Sequence, residues 1–301
     1  MDRPAAARCA VIGLVAPSAA PAPRAVDRSS ARALLARPAA RAGIGMAAVL
    51  LLAAVAGPWL LPDPNLPDYT RQLTPPSAQN LLGTDQAGRD LLARSVAGAR
   101  SSLGAAVTVT LLSALIGLVV GTFSGAVGGV VDTVLTRITD VLLGLPTLVL
   151  TLAVVGMLGP GHLNLVVAMA LTMWAGIARL ARSVARGARD RPDVVAARMA
   201  GVGPVRTVLT HVVPGVTAQV SVAATLGLGE AVLALGALSF LGLGAQPPTA
   251  EWGTMLADGR ETFAAAPWQL LGPGLGLVLA VAAATLIADA LRDVTDPRSR
   301  Q

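Results

Sequence analysis

The sequence predicts an all-α polytopic membrane protein with about six transmembrane helices. Of its 301 residues, 54% are hydrophobic and only 13% are charged, whereas charged residues make up about a quarter of an ordinary soluble domain. The mean hydropathy of +0.67 agrees. The apolar residues are gathered into long runs, and arginines flank several of these runs. These three observations place the chain in a bilayer.

A helix needs about twenty apolar residues to cross a bilayer. The stretches that meet or approach this length are residues 43–61, 103–127, 138–157, 163–180, 216–243 and 270–291. We expect one transmembrane helix in each of them.

The distribution of arginine orients these helices, because short loops rich in positive charge stay in the cytoplasm. Arginines precede the first stretch at positions 24, 28, 32, 37 and 41, and they crowd the segment between the fourth and fifth stretches at positions 179, 182, 186, 189, 191, 198 and 206. With six crossings, both termini and this segment are expected in the cytoplasm.

The segment before the first stretch, residues 1–41, is rich in Ala, Pro and Arg without helical periodicity. Such a composition cannot bury a core, so we expect a disordered cytoplasmic tail. A secretory signal peptide is the competing interpretation, because residues 11–15 are apolar. That run is, however, shorter than the usual hydrophobic region of a signal peptide.

Residues 42–102 are expected to hold the first transmembrane helix and an extracytoplasmic leader. The charges between residues 62 and 100 balance, with Asp63, Asp68, Asp85 and Asp90 against Arg71, Arg89, Arg94 and Arg100. We expect a loop followed by an amphipathic helix. Residues 103–301 would then form the transmembrane core.

Two features of the core predict how its helices pack and bend. Gly117, Gly121 and Gly125 recur on one face of the second stretch, and such small-residue stripes let another helix approach closely. Pro146 lies inside the third stretch. Because proline cannot donate a backbone hydrogen bond and clashes with the preceding turn, we expect a kink or a helix end there.

The polar segment 190–215 predicts a helix-turn-helix elbow. Pro192 suits the first turn of a short helix, and Gly201 supplies a left-handed residue just past its end. Gly203 and Pro204 then break the chain and start a second helix. This second helix is expected to run towards His211 and Pro214.

The elbow resembles the cytoplasmic coupling loop of permease subunits of ATP-binding-cassette (ABC) importers. That family has a Glu-Ala-Ala triplet, a Gly three residues on, and an Ile-x-Leu-Pro ending. Here Ala196, Ala197, Gly201 and Pro214 match the pattern, while Val195 stands at the Glu position and His211 at the Ile position. The resemblance implies that the elbow couples to an ATPase through Val195, Ala196, Ala197, Arg198, Gly201 and Pro214.

Further blocks resemble the oligopeptide/dipeptide/nickel subgroup of these permeases, in order from about residue 58 to the end. They are Leu82-Gly83-Thr84-Asp85, Gly88-Arg89-Asp90, Gly98-Ala99-Arg100, Ser102-Leu103, Gly128-Gly129 with Asp132, Arg137 with Asp140, Leu145-Pro146, 238–244 with Pro247-Pro248, Trp252-Gly253, Asp289, 291–293 and 296–298. The resemblance implies the transmembrane-domain fold of type I ABC importers, in a bacterial cytoplasmic membrane.

The resemblance also implies a function and a set of partners. The chain would form the translocation path for di- or oligopeptides, or for a related small solute such as nickel. It would pair with a homologous permease, two ATP-binding subunits and an extracytoplasmic solute-binding protein. The alternative is a self-contained secondary transporter or channel, which would call for several intramembrane ionisable groups and internal repeats.

Glu230 is the most informative charge within the apolar stretches. A charged group at mid-bilayer costs roughly 2 to 3 kcal/mol on insertion scales, so Glu230 should not face lipid. Gln219 lies eleven residues earlier, close to three turns away and on nearly the same face. Both residues could line an aqueous path, or Glu230 could make an interhelical hydrogen bond as a protonated acid.

Several chemistries are excluded by residues that the sequence lacks. It contains no lysine, so a P-loop and a Schiff base are both ruled out. One cysteine, Cys9, and two histidines, His162 and His211, are too few and too dispersed for a metal cluster. We expect no enzyme activity, cofactor or nucleic-acid partner, and His162 is interpreted as a loop or interface histidine.

Overall fold

The structure, a computed structural model, describes residues 36–295, and side chains as far as Arg292. Residues 1–35 of the predicted tail, including Cys9, lie outside the described residues. The secondary structure within this range is helical, apart from one isolated bridge between Thr84 and Asp90. Five helices are long and apolar enough to cross a bilayer, and a bent pair of helices would make a sixth crossing. The predicted all-α, polytopic fold is therefore confirmed.

The main helices are α1 (Pro38–Leu60), α2 (Leu91–Val127), α3 (Gly129–Gly144), α4 (Thr147–Leu158), α5 (His162–Gly187), α6 (Pro192–Met199), α7 (Pro204–Thr207), α8 (Val213–Phe240), α9 (Trp252–Glu261) and α10 (Leu271–Thr295). Single 3-10 turns occur at Tyr69–Arg71 and Pro267–Leu270. We call the end of the bundle that carries α6 the elbow end, and the opposite end the α9 end.

Two helix starts differ from the sequence prediction. Helix α1 begins at Pro38, inside the segment expected to be a tail. Helix α2 begins at Leu91 and runs through to Val127 without a break, so that the expected boundary at residue 102 falls within it. The reason is local, because the Asp90 carboxylate accepts a hydrogen bond from the amide of Ala93 at 2.7 Å and caps the helix well before the apolar stretch begins.

The third predicted crossing is a broken helix. Helix α3 ends at Gly144, α4 begins at Thr147, and the two helices are bent by 96°. Pro146 lies at the break, as expected from its missing amide hydrogen. The angle is far larger than a kink, so the third crossing is not one straight helix.

The fifth crossing also begins earlier than expected. Helix α7, a π-helical stretch at Val208–Val212 and helix α8 form one continuous helical rod from Pro204 to Phe240. The second helix of the elbow therefore does not end at Pro214. Because Pro214 cannot donate a hydrogen bond to the preceding turn, the helix widens just before it instead of stopping.

Helices α2 and α5 pack closely along the predicted glycine stripe. A Cβ atom added to Gly117 would lie 2.7 Å from Cβ of Ile177, and one added to Gly125 would lie 2.6 Å from the carbonyl oxygen of Arg182. No side chain fits at such distances, which confirms that the stripe serves packing. The buried apolar residues form a central cluster around Leu165, Met169 and Leu235 and a separate cluster at the elbow end.

Candidate coupling site and path

The first helix of the elbow forms as the sequence predicts. Helix α6 begins at Pro192 and ends at Met199, and Gly201 follows with a φ of +79°. The chain turns through two hydrogen bonds, from the amide of Gly201 to the carbonyl of Arg198 and from the amide of Val202 to the carbonyl of Ala197, both 3.0 Å. This is the left-handed termination that glycine adopts without steric cost.

One face of the elbow is anchored to the bundle. Val194 is 0% exposed and packs with Ala185 of α5 and with Val212 and Val216 of the rod. The hydroxyl of Thr207, also buried, donates to the carbonyl of Gly203 at 3.1 Å. These contacts fix the position of α6 relative to α5 and α8.

A short charged cluster adds to this anchor. The Arg191 guanidinium donates two hydrogen bonds to the Asp193 carboxylate, at 3.1 and 2.8 Å. Nδ1 of His211 lies 3.7 Å from the same carboxylate. His211 stands at the position of the family isoleucine, so a polar side chain lies beside Asp193 there. Each of these side chains is partly exposed, and such pairs contribute little to stability.

The other face of the elbow is exposed. Val195, Ala196, Arg198 and Gly201 are all open to the surroundings, and Ala197 is half-buried. Two apolar residues that the sequence reasoning missed stand beside them, because Met199 is 84% exposed and Val205 is 70% exposed. An exposed methionine next to small residues is typical of a surface that adapts to a partner.

Pro214 does not join this exposed face. It is exposed on the rod, just after the π-helical stretch, and the packed residues Val212 and Val216 flank it. The structure thus brings Val195 to Gly201 together on one elbow and leaves Pro214 apart at the start of α8.

Glu230 and Gln219 both lie on α8 and both are exposed. They share a stripe of exposed residues with Leu226 and Leu233. Glu230 has no hydrogen bond or ion pair with another residue of the part of the chain that the structure describes. Glu230 therefore does not form the expected interhelical hydrogen bond with any described residue of this subunit.

A hydrogen-bonded cluster of Ser124, Asp132 and Arg182, which we call the charged lock, joins α2, α3 and α5 at the elbow end. The Asp132 carboxylate accepts hydrogen bonds from the Arg182 guanidinium at 2.5 and 2.8 Å and from the Ser124 hydroxyl at 2.6 Å. Asp140 lies 3.8 Å from Arg179 in a more exposed pair. A cavity of about 260 Å³ lies between these two pairs. The lock ties the broken helix to the bundle next to the elbow.

The α9 end holds the best-satisfied buried charge, which the sequence reasoning missed. Glu251 is 0% exposed, and its carboxylate accepts hydrogen bonds from the amides of Gly253 and Thr254 and from the Ser102 hydroxyl, at 2.9, 3.1 and 3.0 Å. Trp252 is buried beside it and donates from Nε1 to the carbonyl of Ser95 at 2.9 Å. The sequence signal that could have indicated this site is the glutamate that directly precedes Trp252 and Gly253.

Two aspartate–arginine contacts complete this end. Asp85 lies 2.7 Å from Nε of Arg89 and 3.2 Å from Nε of Arg94. Arg94 is buried and also donates to the carbonyls of Pro64 and Pro248, at 3.1 and 3.4 Å. The loop before α2 and the loop before α9 are thereby tied together. Among residues 36–292, no group of three or more His, Cys, Asp or Glu side chains is arranged to hold a metal ion.

The sequence of the chain matches those of known proteins. Residues 117–301 match the family model described as "Binding-protein-dependent transport system inner membrane component". The chain is 42% identical over 251 residues to the nickel transport system permease protein NikC of Escherichia coli K12, which covers 83% of this chain and 91% of the relative.

Two peptide-transport proteins show comparable similarity. The chain is 40% identical over 257 residues to the di/tripeptide transport system permease protein DppC of Pseudomonas aeruginosa, covering 83% of this chain and 85% of the relative. It is 38% identical over 267 residues to the dipeptide transport system permease protein DppC of Haemophilus influenzae, covering 86% and 90%. These alignments and the apolar helices make the chain a multi-pass inner-membrane protein, and it belongs to the family of binding-protein-dependent ABC importer permeases, in the oligopeptide/dipeptide/nickel group.

Proposed function

We propose that the chain forms half of the translocation path of an ABC importer for di- or oligopeptides or a related small solute such as nickel. A homologous permease would form the other half. Two ATPase subunits would supply energy, and an extracytoplasmic solute-binding protein would deliver the solute. The observation that carries this proposal is the elbow, which is anchored on one face through Val194 and exposed on the other from Val195 to Gly201.

The elbow suits mechanical coupling because it is short and lies directly before a long helix. Its exposed face of Val195, Ala196 and Met199 would seat in a groove of an ATPase subunit, where small side chains allow close approach. The anchor through Val194 then transmits movement of the elbow to α5 and to the rod Pro204–Phe240. A rigid-body shift at the ATPase would reach the path in this way.

The proposed orientation places the elbow and both termini in the cytoplasm, and the α9 end outside. It rests on the arginines of the elbow segment, following the inside rule. A cysteine at position 198, on a chain without Cys9, should react with impermeant reagents only after the cells are opened. Labelling of that cysteine in intact cells would overturn the orientation.

The exposed stripe of α8 supports a role for Glu230 in the path. An unpaired carboxylate at this depth cannot face lipid without a cost of roughly 2 to 3 kcal/mol, and Glu230 has no partner within its own described chain. Water in the path, the solute or a group of the second permease would supply the missing partner. Gln219 lies on the same face, nearer to the elbow.

Two substitutions test this role. Glu230→Gln keeps most of the hydrogen-bonding capacity without charge, so we expect normal assembly but slower uptake. Glu230→Leu leaves any partner unsatisfied, at about 1 to 3 kcal/mol, and should lower both assembly and uptake. Normal uptake by the leucine variant would remove Glu230 from the path.

The coupling role is tested in reconstituted complexes with matched amounts of permease, by measuring uptake and ATP hydrolysis side by side. Gly201→Val and Ala197→Arg should leave insertion unchanged but abolish uptake, with ATP hydrolysis uncoupled or lost. Val195→Glu restores the family residue at an exposed site and serves as the matched control, with coupling unchanged. Wild-type coupling in both disrupting variants would refute the proposal.

A further inference from the structure

Arg100 differs from the other arginines at the α9 end. Arg71, Arg89 and Arg94 each pair with an aspartate, and the guanidinium of Arg260 lies 5.1 Å from the ring centre of Phe240. Arg100 is exposed, and it forms no hydrogen bond or ion pair with the residues that the structure describes. Its charge is therefore available to a ligand.

Arg100 stands at the rim of a cleft of about 490 Å³ between α2, the start of α5 and the loop before α9. The other polar residues that line the cleft are uncharged or titratable only as histidine, namely Asn65, Ser101, Thr108, His162 and Thr249. Gly104 and Val166 contribute to its apolar wall. No carboxylate of the described residues lines this cleft. Its electrostatics therefore favour an anion.

The surface around the cleft is of the kind that faces acyl chains. Leu163 on α5 is 72% exposed, and Val107 and Leu111 on α2, about two and three turns below Arg100, are 44% and 64% exposed. Helix α1 ends at the same end of the bundle with an exposed Trp59, a residue enriched at membrane interfaces. Arg100 directly precedes the apolar part of α2, so it lies at the depth of lipid headgroups.

A second cleft, of about 400 Å³, lies on the other side of Arg100 between α1 and α2. Asp63 lines that cleft, and its carboxylate accepts a hydrogen bond from the amide of Asn65 at 2.8 Å. A negative group there would repel an anion. An anionic ligand of Arg100 is therefore expected on the α5 side, in the first cleft.

We propose that the cleft beside Arg100 binds a phospholipid. The phosphate accepts hydrogen bonds from the Arg100 guanidinium at the rim, as the fork geometry of arginine favours. An acyl chain lies along Gly104 and Val166 and continues over the exposed leucines. The lipid is favoured over a dissolved anion because the cleft opens onto an apolar surface. The proposal requires only that the chain spans a bilayer, so it is independent of the coupling and path proposals.

The test uses the full-length chain, with the subunits that copurify, and phosphatidylglycerol as the probe. Native mass spectrometry of the delipidated protein during titration gives the affinity for the lipid. Arg100→Gln removes the charge. Gly104→Leu fills the cleft, and because a Cβ atom at Gly104 would meet nothing within 4 Å, this variant should fold normally. We expect Arg100→Gln to weaken binding about tenfold, the usual effect of losing a hydrogen bond to a charged group. Gly104→Leu should weaken binding because its side chain occupies the space of the acyl chain.

Arg71→Gln is the matched control, because Arg71 lies at the same end of the bundle but pairs with Asp68. This control variant should bind the lipid with the affinity of the wild type. Arg100→Lys keeps the charge and should retain most of the affinity. Wild-type affinity in both Arg100→Gln and Gly104→Leu would overturn the proposal. So would displacement of the lipid by equimolar soluble glycerol phosphate, since the ligand would then be a dissolved anion.

Discussion

The start of α9 and the elbow helix α6 differ in how far the subunit itself covers and pairs their residues. At the α9 end, Glu251 is buried and its carboxylate bonds within the chain, to Ser102, Gly253 and Thr254. At the elbow end, α6 exposes Val195 and Met199 and relies on a partly exposed ion pair. The Glu251 carboxylate finds its partners within a single subunit, whereas the elbow presents a surface that a partner can cover.

This difference predicts where a substitution acts. A change in the buried network around Glu251 should lower the stability of the subunit itself. A change of an exposed side chain on the elbow should leave stability intact and affect only the interaction with another subunit, whereas Gly201 carries a backbone constraint of its own. The following predictions test that division, beginning with the largest expected effect.

Glu251→Ala should cause the largest loss of stability. It removes the acceptor of two backbone amides and one hydroxyl, and it leaves these donors unpaired at the start of α9. The unsatisfied buried donors and the lost helix cap should together lower the free energy of unfolding by about 3 kcal/mol. Thermal unfolding of the detergent-solubilised protein gives the change, with Val195→Ala on the elbow as the control that should unfold as the wild type does. A similar unfolding temperature for both variants would erase the distinction between the two ends.

Substitutions at two glycines form a matched pair and should change stability by an intermediate amount. A Cβ atom at Gly253 would lie 2.5 Å from the carbonyl oxygen of Gly236, whereas one at Gly201 would meet nothing within 4 Å. Gly253→Ala should therefore destabilise the subunit by roughly 1 to 3 kcal/mol through overpacking. Gly201→Ala should destabilise the end of α6 by about 1 kcal/mol, because residue 201 has a left-handed backbone conformation. This effect should stay local to the end of α6.

Hydrogen exchange can separate these two effects. Faster exchange should spread through α8 and α9 in Gly253→Ala, and it should stay confined to the elbow in Gly201→Ala. Global destabilisation of equal size in the two variants would contradict the prediction.

The smallest effect concerns pH and Asp258. Burial raises the pKa of the Asp258 carboxyl above its usual value, against the opposing pull of Arg94 and Arg89. The folded protein then holds this proton more tightly than the unfolded chain, so stability falls as pH rises through the interval between the two pKa values. Asp258→Asn removes this penalty and should slightly raise the unfolding temperature at pH 8, with a smaller difference at pH 5. A lower unfolding temperature for the variant at pH 8 would mean that the electrostatic attraction of Arg94 outweighs burial.

Local sequence signals predicted the elements that depend on local rules. Pro192 and Gly201 mark the ends of α6, the glycines at 117, 121 and 125 mark the close α2–α5 contact, and Pro146 marks the break in the third crossing. Each follows from backbone chemistry that acts within one or two turns. These features are therefore predictable from the sequence alone.

The features that the sequence did not reveal depend on distant partners. Ser102 and Glu251 are 149 residues apart, and nothing in either local segment indicates that contact. The 96° bend between α3 and α4 is fixed by how each helix packs against α5, and Pro146 alone predicts only a break. Arg100 and His162 come together at one cleft for the same reason, because α2 and α5 meet there.

The central claim is that the exposed face of the elbow carries the contact with an ATPase subunit. It is tested most directly by a cysteine at position 196, in place of Ala196 and in a chain without Cys9, treated in assembled complexes with a short reagent that carries one thiol-reactive and one photoreactive group. The account predicts a cross-link to the ATPase subunit that changes in yield when ATP is bound, and no such cross-link from a cysteine at Leu163 near the α9 end. Equal cross-linking from both positions, or none from position 196 in a complex that hydrolyses ATP and transports, would contradict it.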